Sequence, residues 1–177
     1  MGFDRTGNLL GALSLAVADR TADAVAEVAG RSHTAAAALS WMHQFQQRPS
    51  VDLLRRVLGL TSSGTVRLVD RLTEDGYLKR GPGPDGRTTS LSLTASGRRA
   101  AQKVAGARAE VLEHALRSLT EDERRSLEAL HSKLLVSMIR TPDATRWMCR
   151  ICDVGACRRD KGCPVTNRVR ERDRAPA

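Results

Sequence analysis

The chain has 177 residues, enough for one buried core plus a small appendage, and its hydrophobic fraction of 41% is that of an ordinary globular protein. Aromatic residues make up only 3%, so the core must be built from Leu, Val and Ala, which favours helices over a β-sandwich. The net charge is +9; clustered Lys and Arg would indicate a phosphate-binding surface, whereas a scattered excess would only aid solubility.

The positive charge is confined to two segments. Residues 48–99 carry 10 Lys and Arg against 5 Asp and Glu, and residues 140–177 carry the same numbers. Residues 1–47 carry 3 against 4, and residues 100–139 carry 6 against 6. The two basic segments are therefore the candidates for contact with nucleic acid.

The N-terminal region is predicted to be helical. Apolar residues recur at helical spacing through residues 6–29, and a second helix is predicted over 34–47 with Thr34 as its N-cap. The apolar run over 9–18 is short for a signal peptide and too short to cross a bilayer. We therefore expect a cytoplasmic protein with no membrane partner.

Two short helices joined by a tight turn are predicted next, which is the helix-turn-helix pattern. The first begins after Ser50 and ends at Gly59, and the second begins at Thr61. The apolar positions of the second helix are Val66, Val69 and Leu72.

The second of these helices carries side chains suited to DNA. Small hydroxyl residues at its N-terminal end can approach phosphates and base edges closely, and two arginines four residues apart can reach guanine or the backbone. The residues of this recognition helix that are predicted to contact DNA are Ser62, Ser63, Thr65, Arg67 and Arg71.

A β-hairpin, or wing, is predicted after the recognition helix. Residues 77–93 alternate at the strand period on both sides of the turn GPGPDG at 81–86. Arg80 and Arg87 flank this turn, where they can reach a minor groove or a phosphate. Asp85 is placed to hold the Arg87 guanidinium by a charge-assisted hydrogen bond.

Two further helices are predicted between the wing and the tail. One spans 95–118 and is capped by Thr94; the next begins at Thr120, which forms a capping box with Glu123. A small winged-helix core has no room to bury the apolar faces of both these helices and of the first helix. Dimerisation through the terminal helices is therefore predicted, and a two-fold dimer would match palindromic DNA.

The segment DGRTTSLSLTASG resembles the wing of the multiple-antibiotic-resistance regulator (MarR) family. The positions that carry this resemblance are Asp85, Arg87, Leu93, Thr94 and Gly97. The preceding LTSSGTVRLVDRLTEDGYLKR is similar to the family's recognition helix and wing entry, and the resemblance extends over about 6–140. It implies a winged helix-turn-helix homodimer that binds palindromic promoter DNA, usually as a repressor relieved by a ligand or an oxidant.

All the cysteines lie in one C-terminal stretch outside that family's common core, with the spacing C-x2-C-x4-C-x5-C. Four thiolates this close together can ligate one metal ion, whereas disulfides are not expected in a cytosolic chain. The spacing is close to that of a zinc knuckle and favours tetrahedral zinc, but the Cys-Pro ending also occurs in ferredoxins, so an iron–sulfur cluster is the alternative. The predicted ligands are Cys149, Cys152, Cys157 and Cys163. The basic end, RVRERDR, is interpreted as a disordered arm on phosphates or as a solvated tail.

Taken together, the sequence predicts a mainly α (α+β) protein. Its parts are support and dimerisation helices at 1–47, a winged helix-turn-helix at 48–97, dimerisation helices at 98–140 and a metal-binding tail at 141–177.

We expect a homodimeric, sequence-specific transcription regulator, acting as a repressor on double-stranded DNA, with a small-molecule or redox effector. The alternative is a metal or redox protein docked on DNA, or an architectural nucleoid-associated protein. No Ser-His-Asp set, paired catalytic carboxylates or phosphate-binding loop is found in the sequence, so we do not expect an enzyme.

Overall fold

The computed structural model describes residues 2, 4–29, 32–83, 88–141, 144–158 and 162–174. Within these residues the chain forms eight helices and one two-stranded sheet, so it is mainly helical with a small β component, as predicted. In chain order the elements are α1 (Arg5–Ala29), α2 (His33–Gln44), α3 (Val51–Leu58), α4 (Ser62–Glu74), β1 (Leu78–Pro82), β2 (Thr89–Leu93), α5 (Ala95–Leu116), α6 (Glu121–Ser137), α7 (Ala144–Met148) and α8 (Pro164–Arg174).

Side-chain caps fix where most of the helices begin. The predicted caps that accept a hydrogen bond from the backbone N–H three residues on are Ser50, Thr94 and Thr120. The prediction for α2 is wrong in detail, because Ser32 is the N-cap and accepts from the Ala35 N–H, while Thr34 lies inside the first turn. Both residues carry a hydroxyl, so local sequence alone does not decide which of them leaves the helical backbone geometry.

The strands β1 and β2 form the predicted hairpin directly after α4. They are antiparallel, with Leu78 opposite Leu93 and Arg80 opposite Leu91. All three of these leucines are buried. The Leu91 N–H also donates to the carbonyl of Pro49 at 2.9 Å, so the linker before α3 is bound to the sheet.

The main core lies between α2, the helix-turn-helix, the hairpin and the start of α5. It is built from aliphatic side chains, as the scarcity of aromatic residues requires. Its buried members include Leu39, Met42, Leu54, Val57, Val69, Leu72, Leu78 and Leu91. Trp41 and Phe45 stack at its edge with ring centroids 6.3 Å apart.

A close approach fixes where α5 leaves the wing. A Cβ built at Gly97 would lie 2.1 Å from the carbonyl oxygen of Tyr77, far inside any van der Waals contact. Thr94, the cap of α5, donates its N–H to that same carbonyl at 3.0 Å. The absence of a side chain at Gly97 therefore lets the first turn of α5 pack on the entry to the wing.

The terminal helices leave their apolar faces uncovered in the single chain. Helix α1 packs on α5, yet the exposed side chains of α1 include Leu9, Leu10, Leu13 and Leu15. Helix α6 buries none of its residues. A helix in a protein gains most of its stability from burying an apolar face, so both helices require a further surface. No helix of the described residues is long and apolar enough to cross a membrane.

The tail packs back onto the rest of the chain. Helix α7 contacts α3, and α8 contacts α6. Pro164 opens α8, at a position that suits proline because an N–H there would have no partner within the helix. The interpretation of the basic end as a disordered arm is wrong up to Arg174, because residues 164–174 are helical.

Candidate nucleic-acid interface and cysteine cluster

The helices α3 and α4 form the predicted helix-turn-helix. Gly59 ends α3 in the left-handed conformation with φ 66°, which glycine adopts without a steric penalty. Thr61 then caps α4, accepting a hydrogen bond from the Gly64 N–H at 3.1 Å. Local backbone chemistry alone therefore produces the tight turn between the two helices.

The buried side of α4 includes one residue that was predicted to contact DNA. Thr65, Val69 and Leu72 are fully buried, and the Thr65 hydroxyl donates to the carbonyl of Thr61 at 2.9 Å. The prediction that Thr65 contacts DNA is therefore wrong. Val66, the first apolar position of the helix, is 46% exposed. Residues 65, 69 and 72 lie on one face because they are four and three residues apart, and residue 66 lies beside that face.

The opposite side of α4 is open to solvent. We call it the outward face, and it comprises residues 62, 63, 66, 67, 70 and 71. Four residues predicted to contact DNA lie on it and are exposed: Ser62, Ser63, Arg67 and Arg71. The first turn of α4 contains no acidic residue, so the N–H groups at the helix start present a positive end to an anion.

The wing is joined to this face by an ion pair. The Arg80 Nη2 lies 2.6 Å from the Asp70 Oδ1, and both side chains are nearly half exposed. Arg80 therefore lies at the predicted surface, but Asp70 of α4 offsets its charge. Asp85 and Arg87, predicted at the wing tip, lie outside the described residues.

A second tie to the wing comes from Arg48, which the sequence analysis did not single out. Its Nη2 donates to the carbonyl of Pro82 at 3.1 Å and to the Ser90 Oγ at 3.5 Å. No local pattern indicates this contact, because the partners are 34 and 42 residues further along the chain. Arg48 and Arg80 together fix the hairpin to the linker before α3 and to α4.

The four cysteines are brought together where the tail meets α2 and α6. Cys149 and Cys163 are buried, Cys152 and Cys157 are half-buried, and none of the four forms a disulfide. With Phe45 among the other residues that line it, they surround a cavity of about 10 Å³, the space of one small occupant. The described residues contain no group of three or more His, Cys, Asp and Glu side chains arranged to hold a metal ion. The four thiols therefore lie close together, but they do not have the geometry of a metal-ligand shell.

Hydrogen bonds between the thiols shift their acidity. The bond from Cys149 lowers the pKa of the Cys152 thiol to about 6, and Arg108 favours the same thiolate. That bond, together with burial, raises the pKa of Cys149. Burial also raises the pKa of Cys163, but hydrogen bonds from the side chain and backbone of Thr166 lower it overall. The surroundings therefore favour the thiolate form of Cys152 and Cys163 and the thiol form of Cys149.

The cysteine cluster is connected to the winged helix through the end of α2. Phe45 packs against both the main core and the cysteine cluster. Next to it, the Gln44 Oε1 accepts a hydrogen bond from the Val154 N–H at 3.3 Å. The cysteine cluster is therefore in direct contact with the end of the helix that precedes the helix-turn-helix.

Comparison with known sequences identifies the winged helix. Residues 29–88 match the sequence model of the MarR family, from the end of α1 to the residue before β2. No curated protein matches the chain.

Solved structures share the fold over most of the chain. A probable transcriptional regulator from Pseudomonas aeruginosa is 26% identical, with a TM-score of 0.55 over 73% of this chain and 99% of that one. MepR, a transcription regulator of the Staphylococcus aureus multidrug efflux pump MepA, is 17% identical, with a TM-score of 0.66 over 77% and 100%. The reduced form of MarR from Escherichia coli is 24% identical, with a TM-score of 0.60 over 71% and 96%. The observed fold is therefore the winged helix-turn-helix of these regulators.

Proposed function

We propose that this chain, which matches the MarR family model over residues 29–88, is a homodimeric transcription regulator of that family that binds palindromic promoter DNA and represses from it. The observation that carries the proposal is the outward face of α4. It combines a helix N-terminus with no acidic residue in its first turn, exposed hydroxyls and two exposed arginines on one side of a helix whose other side is fixed in the core.

The arginines of that face supply the electrostatic part of binding. Each Arg that neutralises a phosphate releases counterions, so affinity falls as salt rises. Replacing Arg67 by Ala is expected to weaken binding and, if it contacts a phosphate, to lower the slope of log affinity against log salt by about 1. The matched control is Lys103→Ala on α5, which removes one exposed positive charge away from the outward face.

Gel shifts over a range of salt concentrations test this assignment. The expected result is that Arg67→Ala binds the protein's own upstream DNA more weakly, while Lys103→Ala binds like the parent. Equal losses in the two variants would mean that the positive charge acts generally, and that α4 is not the DNA-contacting helix.

The uncovered faces of α1 and α6 support assembly with a second copy. Leu10 and Leu13 of α1 and Leu127 and Leu130 of α6 line one groove of about 1050 Å³. Leucines that lie exposed along one groove are typical of an interaction site, and a two-fold dimer buries the same surface on both subunits. A dimer would also carry two recognition helices, one for each half-site of a palindrome.

Sedimentation of single variants tests the dimer. Leu13→Glu places a charge in the groove and is expected to yield monomers, whereas Leu15→Glu, at a leucine outside the groove lining, is expected to remain dimeric. A parent protein that sediments as a monomer would contradict the assembly.

The cysteine cluster is proposed as a zinc site with Cys149, Cys152, Cys157 and Cys163 as ligands. A set of four thiols is the donor set of structural zinc, and a cavity of about 10 Å³ suits one ion better than a four-iron cluster. The bound ion would cross-link the tail. Since the four thiols are not already arranged as metal ligands, the cysteine side chains would move slightly when the ion binds.

Metal content and the absorption spectrum of anaerobically purified protein test the zinc assignment. The expected result is a colourless protein with one zinc per chain. A brown protein with iron and sulfide would establish the iron–sulfur alternative, and an oxidant would then be the natural effector.

A further inference from the structure

Val66 is an exposed apolar side chain where the helix otherwise presents polar ones. Its side chain is 46% exposed, while Val69 on the same helix is fully buried. Its neighbours on the outward face are Ser62, Ser63 and Arg67. Val66 therefore does not belong to the core. It is an apolar side chain that lies among polar side chains able to contact DNA.

The proposed dimer surface does not cover Val66. The groove assigned to the second copy is lined by residues of α1, α5 and α6 and by Leu119 between α5 and α6, and none of its lining residues belongs to α4. The wing reaches α4 through Asp70, one turn beyond Val66. Within the described chain, Val66 remains free to contact a ligand.

The geometry of the side chain suits recognition of a small apolar target. Val is branched at Cβ, so its χ1 angle in a helix is almost fixed, and its two methyl groups are held in place without loss of side-chain freedom on binding. The residue lies in the N-terminal half of α4, the half that meets base edges in helix-turn-helix proteins.

We infer that Val66 contacts the C5-methyl group of a thymine in each half-site. The thymine methyl is the apolar group that base pairs present in the major groove, and the arginines and helix N-terminus around Val66 match the charge of the flanking phosphates. The inference rests on the proposed function and adds a specificity-determining residue to it.

Thymine-to-uracil substitution tests the contact, because it removes the methyl group and leaves every hydrogen-bonding atom of the base edge. An operator is first obtained by selecting bound sequences from a random DNA pool with the full-length protein. Each thymine is then replaced in turn by uracil, and affinities are measured for the parent and for Val66→Ala. Since burying one methyl contributes about 0.8 kcal/mol, one uracil is expected to weaken the parent about fourfold.

The comparison between the two proteins decides the result. For Val66→Ala the loss at the contacted thymine is expected to vanish, while uracil at thymines outside the footprint affects neither protein. If no uracil weakens the parent, or if the same uracil weakens both proteins equally, Val66 does not contact a thymine methyl. If selection yields no enriched sequence, the proposed function itself fails. Circular dichroism of Val66→Ala is the fold control, and little change is expected at an exposed site.

Discussion

Arg80 on β1 and Asp70 on α4 form an ion pair, with 2.6 Å between the guanidinium Nη2 and the carboxylate Oδ1. The pair joins the wing to the recognition helix on the surface proposed to face DNA. Both side chains are nearly half exposed, and exposed pairs contribute little to stability. Its main consequence is therefore electrostatic, because Asp70 offsets a cation that would otherwise attract phosphate.

Asp70→Asn is expected to increase DNA affinity, since it releases Arg80 and removes a negative charge that faces the phosphates. The free energy of unfolding should change by less than about 1 kcal/mol. Fluorescence anisotropy with labelled DNA and urea unfolding measure the two effects. The control is Glu113→Gln, which breaks the pair with Arg124 between α5 and α6 and should leave DNA affinity unchanged; an equal gain there would contradict the assignment.

Thr65 and Ser63 are expected to have opposite roles, although they are two residues apart. Thr65→Ser keeps the buried hydroxyl but removes a buried methyl, and should cost about 1 kcal/mol of stability with no change in DNA affinity. Ser63→Ala, on the outward face, should weaken DNA binding and change stability by less than about 0.5 kcal/mol. Thermal unfolding and anisotropy on both variants check this. The reverse pattern would mean that α4 presents its other side to DNA.

Gly97→Ala is expected to destabilise the protein by about 1–3 kcal/mol or more, because its Cβ would overlap the Tyr77 carbonyl. Gly106 lies on the same helix with nothing within 4 Å of an added Cβ, so Gly106→Ala should instead stabilise by about 0.5–1 kcal/mol. Urea unfolding measures both. Similar effects in the two variants would show that helix propensity, and not the contact with the wing entry, decides the outcome.

Phe45→Ala is expected to uncouple the cysteine cluster from DNA binding, since Phe45 packs on both the cluster and the main core. In the parent protein, removing the metal with a chelator should lower operator affinity; in Phe45→Ala the affinity should be lower from the start and insensitive to the chelator. Trp147→Ala is the control, because Trp147 belongs to the tail but is 44% exposed. A variant lacking Phe45 that still responds to the chelator would rule out this route.

Local chemistry explains which parts of the fold could be predicted. The starts of α3, α5 and α6 follow from hydroxyl side chains that accept a backbone N–H three residues on, and the end of α3 follows from Gly59. The wing follows from alternation around a turn rich in Gly and Pro. Each of these features depends on residues within a few positions of one another.

The differences between the sequence predictions and the structure have two causes. Some depend on tertiary contacts that no local pattern contains, and one depends on which side of α4 faces the core. Thr65 carries a hydroxyl that suits DNA contact, but its spacing from Val69 and Leu72 puts it on the buried side of α4. Arg48 could not be found, since its partners on the wing are brought to it by the tertiary fold. The four cysteines were correctly grouped by spacing, but no spacing indicates that Phe45 would pack on them.

Footprinting of the purified protein on its own upstream DNA tests whether the chain recognises a discrete operator through α4. We expect one protected palindrome, with half-sites separated by about one helical turn of DNA or a multiple of it, and loss of that protection in Arg67→Ala. Uniform protection that grows with protein concentration and covers no discrete site would rule out a sequence-specific regulator and favour an architectural protein.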